Sequence, residues 1–440
     1  MPMLSSNLVN AVQRITNRVS QKTMHDYASL LSGQVGRLIF SMLYFVTLAK
    51  TLSLGEFGLF ATASSIGIVL SRLCGLGFLS PLYRIATIRP TLIGVYTAGY
   101  ITAVLVSLPV ILAIAWALHS ILYADKLPLA AFLMILAAEV VFWRSTEVLI
   151  VVKNGLYQYR TAAAISICGI ASKAIGIVVF ASLGLSHIED WALWYCAING
   201  AFAAVAVMLF YPRRRLRWAP KAWLGRSRDA LNVSLAEALF YIQSELDKVL
   251  VLAVGGDVLA GLYAIIMRLI DLTAIPLRAA NTMIVQWIMQ NRKGGRSSNT
   301  KILVDGAIAL MSVCALAAGA TTLSFVPSLV GDNIASAVPF LWLALLVPAF
   351  RNCIEYHTEL LYAHERTGSR VLLLIYLAAT KAGLLFILLQ STHDFVQVAL
   401  WLNAVFALLY CVSAWVTYRM TLDRVDRNRG LLAVENQPAE

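Results

Sequence analysis

The 440-residue chain is 60% hydrophobic and 13% charged, with a formal net charge of +12. Soluble domains usually carry about 25% charged residues, so no single water-facing fold could bury this much apolar side chain. The positive balance is not a nucleic-acid signature either, because the basic residues that lie outside the apolar runs fall almost entirely in the tails and in every second connection.

In chain order, residues 1–27 place Leu4, Leu8, Val12, Ile15 and Val19 on one helical face beside Arg14, Arg18 and Lys22. That pattern predicts a basic amphipathic segment on the membrane surface, and it lacks the apolar core of a signal peptide. A bilayer-crossing helix takes roughly 20 mostly apolar residues. Six such spans are expected in an N-terminal bundle, 28–211: 28–49, 57–79, 92–118, 128–151, 162–183 and 191–211. A basic linker, 212–229, precedes a C-terminal bundle, 230–418, with spans at 230–254, 258–290, 302–326, 335–362, 371–389 and 395–417; a cytoplasmic tail, 419–440, follows. The expected fold is therefore an all-α integral membrane protein of about twelve transmembrane helices, in two pseudo-symmetric six-helix bundles around a central cavity.

Charge orients these spans. Lys and Arg fill the N-terminal segment, the second, fourth, sixth, eighth and tenth connections and the tail, whereas the intervening connections hold only Lys50 and Lys126. Retention of basic loops in the cytoplasm then predicts that both termini are cytoplasmic.

The halves resemble each other. Gly58-Leu59-Phe60-Ala61 opens the second span as Gly261-Leu262-Tyr263-Ala264 opens the eighth, and Glu147 precedes Lys173 by the same separation as Glu355 precedes Lys381. With six helices in each half, such a repeat implies a pseudo-twofold axis along the membrane normal.

Charges within the spans mark the functional question, since each costs at least about 2.5 to 3.5 kcal/mol at the bilayer centre unless it is paired or wet. Arg37, Arg72, Arg268 and Arg278 are candidates for a cationic cavity able to hold a phosphate-bearing headgroup. Arg37 shares a stripe with Gln34, Ser41 and Tyr44, and Arg268 is placed to pair with Asp271 at i,i+3, with a bend expected at Pro276. Glu237, Glu245, Asp247, Lys248 and Asp271 are candidate polar or ion-coupling groups, and Lys248 is also placed to reach the outer interface. The matched positions of Glu147 with Lys173 and of Glu355 with Lys381 suggest structural ion pairs.

No catalytic residue, cofactor or metal is expected. Cys74, Cys168, Cys196, Cys314, Cys353 and Cys411 lie inside apolar spans without ligand spacing and read as small buried hydrophobes. His357, between Glu355 and Glu359, lacks the HExxH arrangement. Neither a phosphate-binding GxxxxGK[ST] loop nor a GxSxG elbow occurs, which argues against an ATP-driven pump or a hydrolase.

The stretch LAKTLSLGEFGLFATASSIGIVLSRLCGLGF, Leu48 to Phe78, resembles the first loop and second helix of Wzx-type polysaccharide flippases of the multidrug/oligosaccharidyl-lipid/polysaccharide exporter superfamily. DKVLVLAVGGDVLAGLYAIIMRL, Asp247 to Leu269, resembles that family's seventh-to-eighth helix hairpin, with Asp247-Lys248 as its acidic-basic pair. The resemblance implies a bacterial inner-membrane flippase, not an enzyme. Its substrate would be an undecaprenyl-pyrophosphate-linked glycan moved to the periplasmic leaflet for O-antigen, capsule or exopolysaccharide, with membrane lipid, a polysaccharide polymerase and a chain-length regulator as partners. The rival readings are a cation-coupled multidrug-type antiporter and a membrane-embedded polymerase or glycosyltransferase.

Overall fold

The computed structural model describes residues 21–435 apart from 226, 291–297, 326–329, 365 and 393, and side chains are described within 36–420. The amphipathic segment expected in residues 1–27 falls largely outside these bounds. All regular structure among the described residues is helical.

The first half contains α1 (Gln21–Thr51), α2 (Leu54–Leu73), α3 (Leu79–Ile88), α4 (Ile93–Leu122), α5 (Leu129–Ala137), α6 (Arg144–Gly155), α7 (Tyr159–Ser182) and α8 (Ile188–Phe210). A short helix α9 (Pro220–Leu224) lies in the linker. The second half contains α10 (Ser227–Gln290), α11 (Ser298–Phe325), α12 (Asp332–Leu343), α13 (Val347–Ala363), α14 (Thr367–Ser391) and α15 (Phe395–Glu435).

Among the described residues, eight stretches are individually long and apolar enough to cross a bilayer, and the bent pair α12–α13, at 76°, adds a ninth. The 49-residue stretch Ala230–Arg278 would span about 74 Å as one straight helix. It is broken at Gly256, whose φ of 84° requires a residue without a Cβ, and so it forms two crossings. Together with α1 and the interrupted α5–α6 run, the helices account for the twelve expected spans. Pro276, where a bend was expected, lies inside the second crossing of α10, and the non-helical residue Gly256 falls in the connection expected between 254 and 258.

Local chemistry explains where α2 begins and how it is held. Ser53 and Glu56 form a reciprocal capping box at its start, and Glu56 Oε1 also accepts a bond of 3.1 Å from the Ile188 N–H of α8. The α2 helix then runs along α10 as the main seam between the halves. Beside it, Trp191 is fully buried among Tyr44, Phe60, Phe180 and Tyr195, which fixes the core of the first bundle.

Cysteine placement departs from expectation. Cys74 and Cys353 are buried, but Cys168, Cys314 and Cys411 are exposed and Cys196 is intermediate. A lipid-facing surface is as apolar as a core, so composition alone does not separate the two.

Candidate functional site

The candidate site lies where α1 of the first half faces the second crossing of α10. Arg268 is exposed and donates through Nη2 to Ser41 Oγ of α1 at 2.5 Å. One turn earlier on α1, Arg37 is exposed and feels the Arg278 charge. Neither Arg37 nor Arg268 has a carboxylate partner among the described residues. Two cations therefore stand on the inter-bundle face with their charge uncompensated, close to a third. The side chain of Gln34 lies outside the described residues.

Arg278 and Arg72 are held differently. Arg72 is buried and makes a bidentate bond from α2 to Glu147 of α6, at 3.0 and 2.9 Å. Arg278 donates Nε to Glu355 of α13 at 2.7 Å, while half of its side chain remains exposed. The two halves thus repeat one motif: an Arg of their second span bound to a Glu of their fourth.

This corrects the expected pairings. Glu147 binds Arg72 and Arg144, at 2.8 Å for the latter, rather than Lys173; Glu355 binds Arg278 rather than Lys381. Asp271 binds Arg351 at 2.6 Å, leaving Arg268 to Ser41. A guanidinium fork matches a carboxylate with two parallel bonds, which a lysine ammonium cannot offer.

The lysines occupy buried networks of their own. Lys173 donates to the Tyr195 hydroxyl at 3.1 Å and lies 4.1 Å from the Trp143 ring centroid. Tyr195 in turn donates to Glu139, which also accepts from Ser64 at 3.0 Å. In the second half Lys381 binds Asp247 at 2.8 Å and the Gln243 carbonyl at 2.9 Å, and Asp247 also accepts from Tyr263. Lys248 binds Glu245 at 2.6 Å instead of reaching for the outer interface, and Glu245 accepts from Ser65 of α2 at 2.7 Å. Glu237, 40% exposed at its side chain, is 3.6 Å from Arg144 across the seam.

Sequence reasoning gave Arg144, Arg351 and Asp305 no defined role, and read Glu139 only as one of the carboxylates able to titrate or coordinate a coupling cation. Glu139 sits in a π-helical turn, Ala138–Trp143, between α5 and α6. Such wider turns displace side chains from the α-helical periodicity and leave no compositional trace. His357 is fully buried: its Nε2 lies 3.1 Å from Asp305 Oδ2 and its Nδ1 3.1 Å from Ser413 Oγ, while Tyr410 and Tyr418 donate to the same Asp305 oxygen. Among the described residues no group of His, Cys, Asp or Glu is arranged to hold a metal ion.

These helices describe a multi-pass membrane protein. Its fold is similar to that of solved MATE transporters of the MOP superfamily. An inward-facing multidrug resistance MATE family transporter of that superfamily aligns with a TM-score of 0.64 at 15% identity, over 90% of this chain and 99% of that one. A MATE protein in complex with MaL6 aligns at 0.57 and 14% identity, over 91% and 97%. A MOP superfamily transporter from Pyrococcus furiosus Vc1, described as having a binding pocket of reverse polarity that suggests a different function, aligns at 0.55 and 14% identity, over 90% and 94%. No protein-family model matches the sequence, and no curated protein matches it.

Proposed function

We propose that this protein moves an undecaprenyl-pyrophosphate-linked oligosaccharide from the cytoplasmic to the periplasmic leaflet of a bacterial inner membrane, with both its termini cytoplasmic. The observation that carries this reading is the pair Arg37 and Arg268, exposed on the inter-bundle face and without carboxylate partners among the described residues. A pyrophosphate placed between α1 and the second crossing of α10 would take charge-assisted hydrogen bonds from both guanidiniums. The two bundles would rock about the bound headgroup while the lipid tail stays in the bilayer. A transporter of similar fold is described as having a binding pocket of reverse polarity, which agrees with pocket charge varying within this architecture. A polymerase and a chain-length regulator would act on the product.

A cation antiporter is the second reading. Glu237 favours it, being a partly exposed carboxylate on the same seam, and multidrug MATE transporters share the fold.

Cells lacking the protein and complemented with wild type, Arg37→Ala or Arg268→Ala separate the two. The flippase reading expects lipid-linked oligosaccharide to accumulate in the deletion strain and to persist with the Arg variants at normal protein level. Unchanged precursor in the deletion strain, together with raised sensitivity to cationic drugs, would favour the antiporter.

A further inference from the structure

Away from the inter-bundle face, a cavity of about 440 Å³ opens between α3 and the linker helix α9. Its walls include Ile85, Ile88 and Leu92, and Arg84 and Arg89 also line it. Both arginines are exposed, and among the described residues neither has an acidic partner. An apolar pocket flanked by two unpaired guanidiniums matches a group that is anionic at one end and hydrocarbon at the other.

The linker is fastened beside this cavity. Gly94 lies under the Arg215 carbonyl so closely that a Cβ would collide with it, and Tyr96 donates to the Ala222 carbonyl at 3.0 Å. Arg213, Arg214, Arg215 and Arg217 are thereby held next to the opening, all exposed. Ile88, Leu216 and Trp218 remain exposed among these cations. Cations interleaved with apolar and indole side chains suit the headgroup layer of a membrane, whereas a site for a soluble phosphate has no use for the hydrocarbon wall.

We propose that the cavity bounded by Arg84, Arg89 and the linker is a binding site for the phosphate headgroup of an anionic bilayer lipid. The site is separate from Arg37 and Arg268 and does not depend on which substrate they serve. The arginines hold the phosphate, and Ile85, Ile88 and Leu92 receive the first methylenes of the lipid chain.

The test is native mass spectrometry of the detergent-purified protein titrated with phosphatidylglycerol or phosphatidylcholine. Wild type and an Arg160→Gln control, altered at an exposed cation elsewhere, should retain phosphatidylglycerol in preference to phosphatidylcholine. Arg84→Gln/Arg89→Gln should weaken that retention at least tenfold. Ile88→Glu, a change at an exposed position that sets a carboxylate at the wall, should do the same should the double variant not fold. Equal retention of the two lipids, undiminished phosphatidylglycerol binding in both variants, or displacement of the lipid by an equal concentration of glycerol 3-phosphate would overturn the proposal, the last by marking a soluble-phosphate site.

Discussion

Gly58 of α2 and Gly261 of α10 lie back to back across the seam between the halves. A Cβ on Gly58 would collide with the Asp257 carbonyl oxygen and lie 2.6 Å from Gly261 N, and a Cβ on Gly261 would collide with the Leu54 carbonyl oxygen. Each glycine therefore meets the backbone four residues before the other, as a pseudo-twofold axis requires. The repeated Gly-Leu-aromatic-Ala motif thus marks a close backbone crossing of the two halves, and only a residue without a side chain permits that approach.

Gly58→Ala and Gly261→Ala should each lower stability by about 1–3 kcal/mol, because the obstructing atoms are backbone and cannot rotate away. Gly306→Ala and Gly383→Ala, where nothing lies within 4 Å of an added Cβ, serve as controls and should be nearly silent. Thermal unfolding in detergent reads the difference; equal midpoints for all four variants would contradict the tight crossing.

The two repeated Arg–Glu bonds should be unequal in strength. Arg72 is 9% exposed at its side chain and Arg278 51%. Breaking a buried pair from one side costs about 3–5 kcal/mol, whereas an exposed pair contributes about 0–1 kcal/mol. Arg72→Gln should therefore lower the unfolding midpoint well below that of Arg278→Gln. The bond that Glu147 keeps to Arg144 places the Arg72 cost toward the lower end of that range.

Lys381→Met should destabilise by a comparable amount, since it leaves the buried Asp247 carboxylate with only the Tyr263 hydroxyl and the Lys248 N–H. Adding Asp247→Asn removes the stranded charge and should recover part of the loss. A double variant as unstable as the sum of its parts would show that the two groups are not coupled.

His357→Phe should likewise be destabilising, by about 1–3 kcal/mol at the buried Ser413 hydroxyl and by less at Asp305 Oδ2, which keeps its two tyrosine donors. The affected groups, Asp305 Oδ2 and Ser413 Oγ, tie α11 and α15 to α13. Asp305→Asn with His357 retained should be milder, because an amide oxygen can still accept from the tyrosines. Equal unfolding midpoints for the two variants would count against this reading.

How much of this was legible in the sequence depends on the range of the forces involved. Span positions follow from hydrophobic run length, and the glycine contact left a trace because it constrains both halves alike. Ion-pair partners did not, since a partner is chosen by the rotation and depth of another helix. Glu147 and Lys173 keep the same separation as Glu355 and Lys381, yet each Glu binds an Arg from a different span. The separation reported the symmetry of the halves and not a bond. The partners of Glu139 were obscured by the π-helical turn, and the role of His357 by its dependence on α11 and α15, which no local motif encodes.

The central claim is that Arg37 and Arg268 hold a pyrophosphate-bearing lipid during its passage. Its most direct test is translocation of an undecaprenyl-pyrophosphate-linked oligosaccharide in proteoliposomes, followed by the glycan's accessibility to a membrane-impermeant glycosidase. Wild type should expose the inner-leaflet fraction, and Arg37→Gln/Arg268→Gln should slow this at least tenfold at equal incorporation. Translocation that is absent from wild type, or equally fast in the double variant, would contradict the account.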